Sequence, residues 1–213
     1  MTIRPKTVFK GPHKRPNGLV AEADSLWMCD IDNSRVYKLR LDNGRVLTSF
    51  STPAEKVSGI AFGGGAVWVS HNSLPGFVFK FDPDTGQCTK FLTLVDGDAG
   101  GVHGLEWDED SLWVSRPGLQ ALQRIDPDTA ELRQTISFPG LRLHGIFVDG
   151  DQVVCNDTGL SAVFVYDKRT GELLDQIEVE GIEPHGMTRS DDGRIWFSND
   201  HPNEISAAPW PPR

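Results

Sequence analysis

Residues Glu183–Asn199 read E-P-H-G-M-T-R-S-D-D-G-R-I-W-F-S-N. A polar turn carrying His185 and Gly186 leads into a short apolar strand. A D-D-G turn at Asp191–Gly193 follows, and a second strand runs through Ile195, Trp196 and Phe197. The rest of the chain repeats this unit. Earlier copies run from Asn17-Gly18 to Trp27, Ser58-Gly59 to Trp68, His103-Gly104 to Trp113 and His144-Gly145 to Val154. The residue before each Gly precedes the aromatic (or Val154) by 10 positions in these four copies and by 11 in the last. The anchors Asn17, Ser58, His103, His144 and His185 step by 41, 45, 41 and 41 residues, and such a period signals a propeller or solenoid. The long step comes from an insertion at Val95–Gly101 (V-D-G-D-A-G-G), whose composition predicts a loop.

Within a repeat the apolar runs are four to seven residues long, are separated by turn residues and show no helical period, which predicts all-β structure. In the third repeat the strands fall at Gly104–Trp107, Ser111–Ser115, Ala121–Ile125 and Leu132–Phe138. D-P-D-T-A joins the last two. Its relatives are D-P-D-T-G at Asp82–Gly86 and D-K-R-T-G at Asp167–Gly171, where Asp or Pro opens a tight turn and Gly supplies positive φ. Four antiparallel strands per repeat make a propeller blade. The fifth copy stops after a third strand at Glu204–Ala208. Lys6–Lys10 (K-T-V-F-K) reads as an outer strand without a blade. Pairing the two closes a ring with no open edge. The expectation is one domain over 1–213, a five-bladed β-propeller of four-stranded blades with the N-terminal strand closing the last.

Composition narrows the function. The 213 residues carry a formal net charge of −9 with 38% hydrophobic content, which suits a globular protein and argues against nucleic acid, whose phosphates require clustered Lys and Arg. The N-terminal basic stretch lacks an apolar core of signal-peptide type, and no run reaches transmembrane length. Three cysteines (Cys29, Cys88, Cys155) without paired spacing suit reduced thiols, so the expected location is cytoplasmic. Cys29 and Cys155, beside or within the second strands, read as small core residues.

In a propeller, equivalent positions of successive blades form rings. The anchors Asn17, Ser58, His103, His144 and His185 define one mouth of the central channel. A second ring, Asp30, His71, Arg116, Asp157 and Asn199, returns to the same face, with Cys29, Ser70, Ser115, Asn156 and Ser198 beside it. Three histidines on adjacent blades could ligate a divalent metal ion (Zn, Fe, Mn or Mg) or share acid–base work. Equally, H-G could be turn chemistry, with His satisfying a local backbone group. Arg116 could clamp a carboxylate or phosphate, or pair with Asp30 or Asp157. Trp27, Trp68, Trp113 and Trp196 are expected to pack between blades, and Val154 to leave space beside Asn156 and Asp157. Asp96-Gly97-Asp98 is short of a calcium loop.

The E-P-H-G-M segment with its following D-D-G-R-I-W-F-S-N resembles the streptogramin B lyase (virginiamycin B lyase) group, within the wider gluconolactonase/NHL-like propellers. The resemblance implies a His base at His185 and a Mg²⁺-holding Glu at Glu183. Asn199 stands where the group has its second Glu, and those lyases have seven blades rather than five. The expected function is a metal-assisted lyase or hydrolase cleaving a C–O bond of a small acidic metabolite or lactone/ester. His103, His144 and His185 would hold the metal; His185, Glu183, Arg116 and Asp157 would be catalytic; and Asn17, Asp30, His71 and Asn199 would line the substrate site. The alternative is a non-catalytic propeller binding a small ligand or a protein across the same face.

Overall fold

The computed structural model describes residues 1–94, 101–199 and 201–211; the insertion loop and the Asp96-Gly97-Asp98 turn lie outside them, apart from Gly101. The N-terminal strands are β1 (Thr2–Ile3) and β2 (Lys6–Lys10). Blade 1 is β3 (Pro16–Glu22), β4 (Ser25–Asp30), β5 (Arg35–Arg40) and β6 (Val46–Ser51). Blade 2 is β7 (Val57–Gly63), β8 (Ala66–His71), β9 (Gly76–Phe81) and β10 (Cys88–Leu94). Blade 3 is β11 (Leu105–Asp108), β12 (Ser111–Arg116), β13 (Ala121–Ile125) and β14 (Leu132–Ser137). Blade 4 is β15 (Leu143–Asp149), β16 (Gln152–Asp157), β17 (Ala162–Asp167) and β18 (Leu173–Val179). Blade 5 is β19 (Met187–Arg189), β20 (Arg194–Asn199) and β21 (Glu204–Pro209), completed by β2. The protein is a five-bladed β-propeller, as its repeats predict.

Closure goes one step beyond the expectation. β2 pairs antiparallel with β21, and β1 adds in parallel to β18, so the N-terminal segment clamps blades 4 and 5 together. Five apolar clusters form the core, several of them between neighbouring blades. Trp27, Trp68, Trp113 and Trp196 are at most 1% exposed, as expected of packing residues. Each indole N–H also bonds near the far end of its own innermost strand, at Glu22 Oε2 (2.7 Å), Gly63 O (3.1 Å), Asp108 Oδ2 (3.2 Å) and Ser190 Oγ (2.8 Å).

Blade 4 corrects the expectation of open space at Val154. Asp149 holds the acceptor position there, and Trp210 from beyond β21 donates to it at 2.9 Å. Trp210 packs edge-on against Phe147 at 5.2 Å and joins the same cluster as Val154, so the bulk missing from β16 is restored from the next blade. In the D-x-x-T turns Asp82, Asp126 and Asp167 each accept backbone N–H bonds from the residues two and three ahead. The turn-closing residue has positive φ in each, at Gly86 (69°), Ala130 (63°) and Gly171 (74°).

Candidate functional site

The five X-Gly anchors meet around the axis. A methyl group at Gly18 would come within 2.5 Å of Ser58 O; at Gly59, Gly104 and Gly186 it would run into the carbonyls of His103, His144 and Asn17. Each Gly therefore lets one innermost strand lie against the backbone of the next, the reason Gly follows every anchor. A bonding relay ties the strands. Gly59 N donates to Ser70 Oγ, which donates to His103 O; Gly104 N donates to Ser115 Oγ, which donates to His144 O. Gly186 N, Ser198 and Asn17 O repeat it, as do Gly18 N, Cys29 Sγ and Ser58 O, with the thiol in the hydroxyl's place. In blade 4 Asn156 spans the gap, accepting from Gly145 N and donating to Pro184 O. Cys29 thus belongs to a structural ring. The space left on the axis is about 10 Å³, room for no more than one water. The open space lies at the mouth of the channel.

There His103, His144 and His185 stand in a row, ring centroids 4.6 and 4.9 Å apart and planes at 73° and 69°. His144 and His185 are 8% and 7% exposed, and His103 is half-buried. His144 Nδ1 lies 2.9 Å from Arg142 O and 2.7 Å from Thr158 Oγ1, while Thr158 Oγ1 donates its own proton to Pro184 O. A carbonyl only accepts, so Nδ1 carries the proton and Nε2 keeps its lone pair. His185 Nδ1 faces Glu183 O at 3.2 Å and takes the same tautomer. Burial, with His103 and His185 on either side, holds the His144 pKa well below the usual imidazole value, so His144 is neutral near pH 7.

The remaining candidates divide. Glu183 lies beside the row on the exposed rim, its carboxylate 2.8 Å from Arg142 Nη1. Asp157 is fully buried and accepts Arg142 N (2.9 Å) and Leu160 N (2.9 Å), which positions the loops around His144 rather than offering a free carboxylate. Asp30 acts alike in blade 1, accepting Arg15 N at 2.8 Å, with His13 Nδ1 at 3.1 Å from its other oxygen. Arg116 is buried. Its Nη1 donates to Gln123 Oε1 at 3.1 Å on the face whose Val114 and Ile125 pack against Leu92 and Leu94 of blade 2. Asn17 accepts from Ser58 Oγ at 3.2 Å. His71 turns to Pro75 O and the Phe77 ring, outside the row, and Asn199 is buried opposite Glu204.

Among the described residues no three His, Cys, Asp or Glu side chains are placed to hold a metal ion. The imidazoles pack edge to face instead of gathering three nitrogens on one point. Two further residues join the row's surroundings without a signal in the repeat spacing alone, Arg142 and Thr158. For the first a comparison of blades supplies one, since it sits two residues before an anchor, as Glu183 does.

No protein-family model and no curated protein sequence matches the chain. Solved structures do. The chain is similar to the glutaminyl cyclase of Myxococcus xanthus (16% identity, TM-score 0.75, covering 98% of this chain and 99% of that one). It is similar to virginiamycin B lyase from Staphylococcus aureus (18% identity, TM-score 0.59, 92% and 67%), so the expected likeness to that group is present in the fold. A chain of the nidogen/laminin complex is also similar (19% identity, TM-score 0.60, 76% and 63%). At these identities the likeness establishes the propeller architecture. No helix among the described residues is long and apolar enough to cross a membrane.

Proposed function

We propose that the His-lined mouth is the reaction centre of a lyase or hydrolase that cleaves a C–O bond in a small acidic molecule, lactone or ester. The observation that carries this reading is the row of three imidazoles on consecutive blades, with the middle one held neutral. Its Nδ1–H is committed to Arg142 O and Thr158 Oγ1, so Nε2 is a base whose orientation is set before substrate arrives. In an elimination, an Nε2 lone pair takes the proton beside a carbonyl, the C–O bond breaks, and the proton goes to the departing oxygen. In a hydrolysis the same lone pair takes a proton from a water whose oxygen bonds the acyl carbon, the original acyl C–O bond breaks, and the proton passes to the departing oxygen. His185 and His103 flank His144, and the Arg142–Glu183 ion pair stands at the rim beside them. The three imidazoles pack edge to face rather than converging on one point as a Zn, Fe, Mn or Mg ion would need. Both likenesses to enzymes, a cyclase and a lyase, support a propeller enzyme.

The filled axis supports a second reading, a propeller that binds a partner across this face, as the nidogen/laminin likeness illustrates for the fold. Turnover of a panel of p-nitrophenyl esters and γ-lactones separates the two. His144→Asn and His185→Asn should each lower kcat/KM by about 100-fold or more at unchanged fold. Equal turnover by wild type and both variants would leave the binding reading standing.

A further inference from the structure

Each blade ends in an outermost strand, and one of these outer edges is already in use. β18 of blade 4 takes β1 in parallel, with Thr2 opposite Glu178 and Ile3 opposite Val179, and Ile3 is buried there. The other four edges, those of β6, β10, β14 and β2, pair on their inner side only among the described residues. An open edge offers a row of unpaired N–H and C=O groups, and charged side chains are a common guard against another strand pairing with it. Three of the four are guarded. β2 carries Lys6 and Lys10. β10 carries Lys90, bonded to Asp128 at 2.8 Å, and β14 carries Arg133, bonded to Asp110 and Asp126 at 2.8 and 2.6 Å. β6 reads V-L-T-S-F-S, with no charge, Pro or Gly, the composition that favours strand pairing.

The β6 edge is also preformed. Val46 and Leu47 are 44% and 43% exposed, with Thr48 exposed beside them. β14 and β18 begin on exposed leucines too, but Arg133 follows in the one and Asp175 and Glu178 in the other. Within blade 1, Arg35 donates to Ser49 Oγ at 2.9 Å and to Ser51 Oγ at 2.8 Å, and Thr52 donates to Ser34 O from both its N and its Oγ1. An added strand therefore meets an edge held extended by its own blade, and little ordering opposes the contact.

We infer that β6 is a docking edge for a second copy of this chain. The two β6 strands pair antiparallel about a two-fold axis, so that the four-stranded sheets of blade 1 run on into one another. Charge selects this occupant. In a two-fold contact every partner group comes from the same surface patch. A strand with a lone cation brings no counter-charge to its own copy, whereas the hydroxyls, backbone groups and apolar side chains of β6 are self-complementary. Arg45 flanks the strand, and antiparallel pairing sends its two copies to opposite ends of the contact. No residue of the imidazole row takes part, so the inference stands apart from the function proposed above.

The test is sedimentation of the full chain from micromolar to near-millimolar concentration, with amide hydrogen exchange at both ends of that range. Wild type should pass from monomer to dimer, and amides within Val46–Ser51 should gain protection as the dimer fills. Thr48→Lys puts a lone cation in each docking edge and should weaken association about 30-fold or more. Thr48 is exposed, so the urea midpoint of the variant should match that of wild type. Thr135→Lys, exposed on the β14 edge, should associate as wild type does. A monomer throughout the range overturns the inference. So does a dimer that Thr48→Lys leaves intact, and so does one whose formation gives the β6 amides no protection, a reading that needs no variant.

Discussion

Gly104→Ala places a methyl in the tightest part of the ring. The added Cβ would run into His144 O and lie 2.9 Å from the His144 carbonyl carbon and 3.2 Å from Gly145 Cα, all of it backbone with no rotamer to yield. The innermost strands of blades 3 and 4 must separate. Overpacking of this kind costs about 1–3 kcal/mol. Separation also stretches the relay from Gly104 N through Ser115 Oγ (2.6 Å) to His144 O (2.9 Å), about 1 kcal/mol for each bond lost. The total is about 3–5 kcal/mol, a large share of the roughly 5–15 kcal/mol that holds a domain folded. With a urea m-value near the top of the usual range of about 1–3 kcal/mol per molar, the midpoint should fall by about 1–1.7 M. Gly150→Ala is the control. Its φ is 60°, but no atom of the described residues lies within 4 Å of the added carbon, so only the left-handed strain of about 1 kcal/mol applies. Urea unfolding followed by tryptophan fluorescence compares the two, and a Gly104→Ala midpoint no lower than that of Gly150→Ala would refute the close-approach argument.

Trp210→Ala should cost about 3–5 kcal/mol, because it empties the blade 4–5 interface and leaves Asp149 without its indole donor; thermal unfolding reads it. Ala130→Gly should stabilise by about 0.5–1 kcal/mol, since Ala130 holds φ 63° where the sister turns have Gly; an unchanged or lower urea midpoint would count against it. His144, with its pKa held down in the folded state, takes up a proton more readily when unfolded. Stability should therefore be lost as pH falls below about 6.5, by at most about 1.4 kcal/mol per pH unit, and His144→Asn should flatten that slope. Glu106 has the opposite sign. Burial raises its pKa to about 8, its Oε2 is shielded and has no hydrogen-bond partner among the described residues, and the folded protein keeps its proton while the unfolded chain has released it above about 4.5. Its contribution is lost as pH rises toward about 8, so Glu106→Gln should gain more over wild type at pH 9 than at pH 5 in urea titrations.

The repeat of X-Gly anchors with an aromatic 10 or 11 residues on, together with the D-x-x-T turns, determines the five blades and their strand boundaries, because period and turn chemistry are local. The lone strand at Lys6–Lys10 determines the closure, since an unpaired edge has one partner available. The same spacing puts His103, His144 and His185 at one mouth, because equivalent repeat positions must form a ring. Side-chain direction was not legible at that level. Arg116 shares a ring position and pleat with Asp30 and Asp157, whose short carboxylates accept loop N–H bonds, yet its longer side chain donates to Gln123, whereas Arg142, on a linking loop, reaches the rim. Trp210 supplying the bulk absent at Val154 joins segments of different blades, and no spacing rule connects them. The imidazoles packing edge to face, rather than gathering around one ion, follows from how closely glycine lets the innermost strands approach. Period and turn chemistry are properties of a segment, while the direction of a side chain and the width of the axis arise only where five segments press on one another.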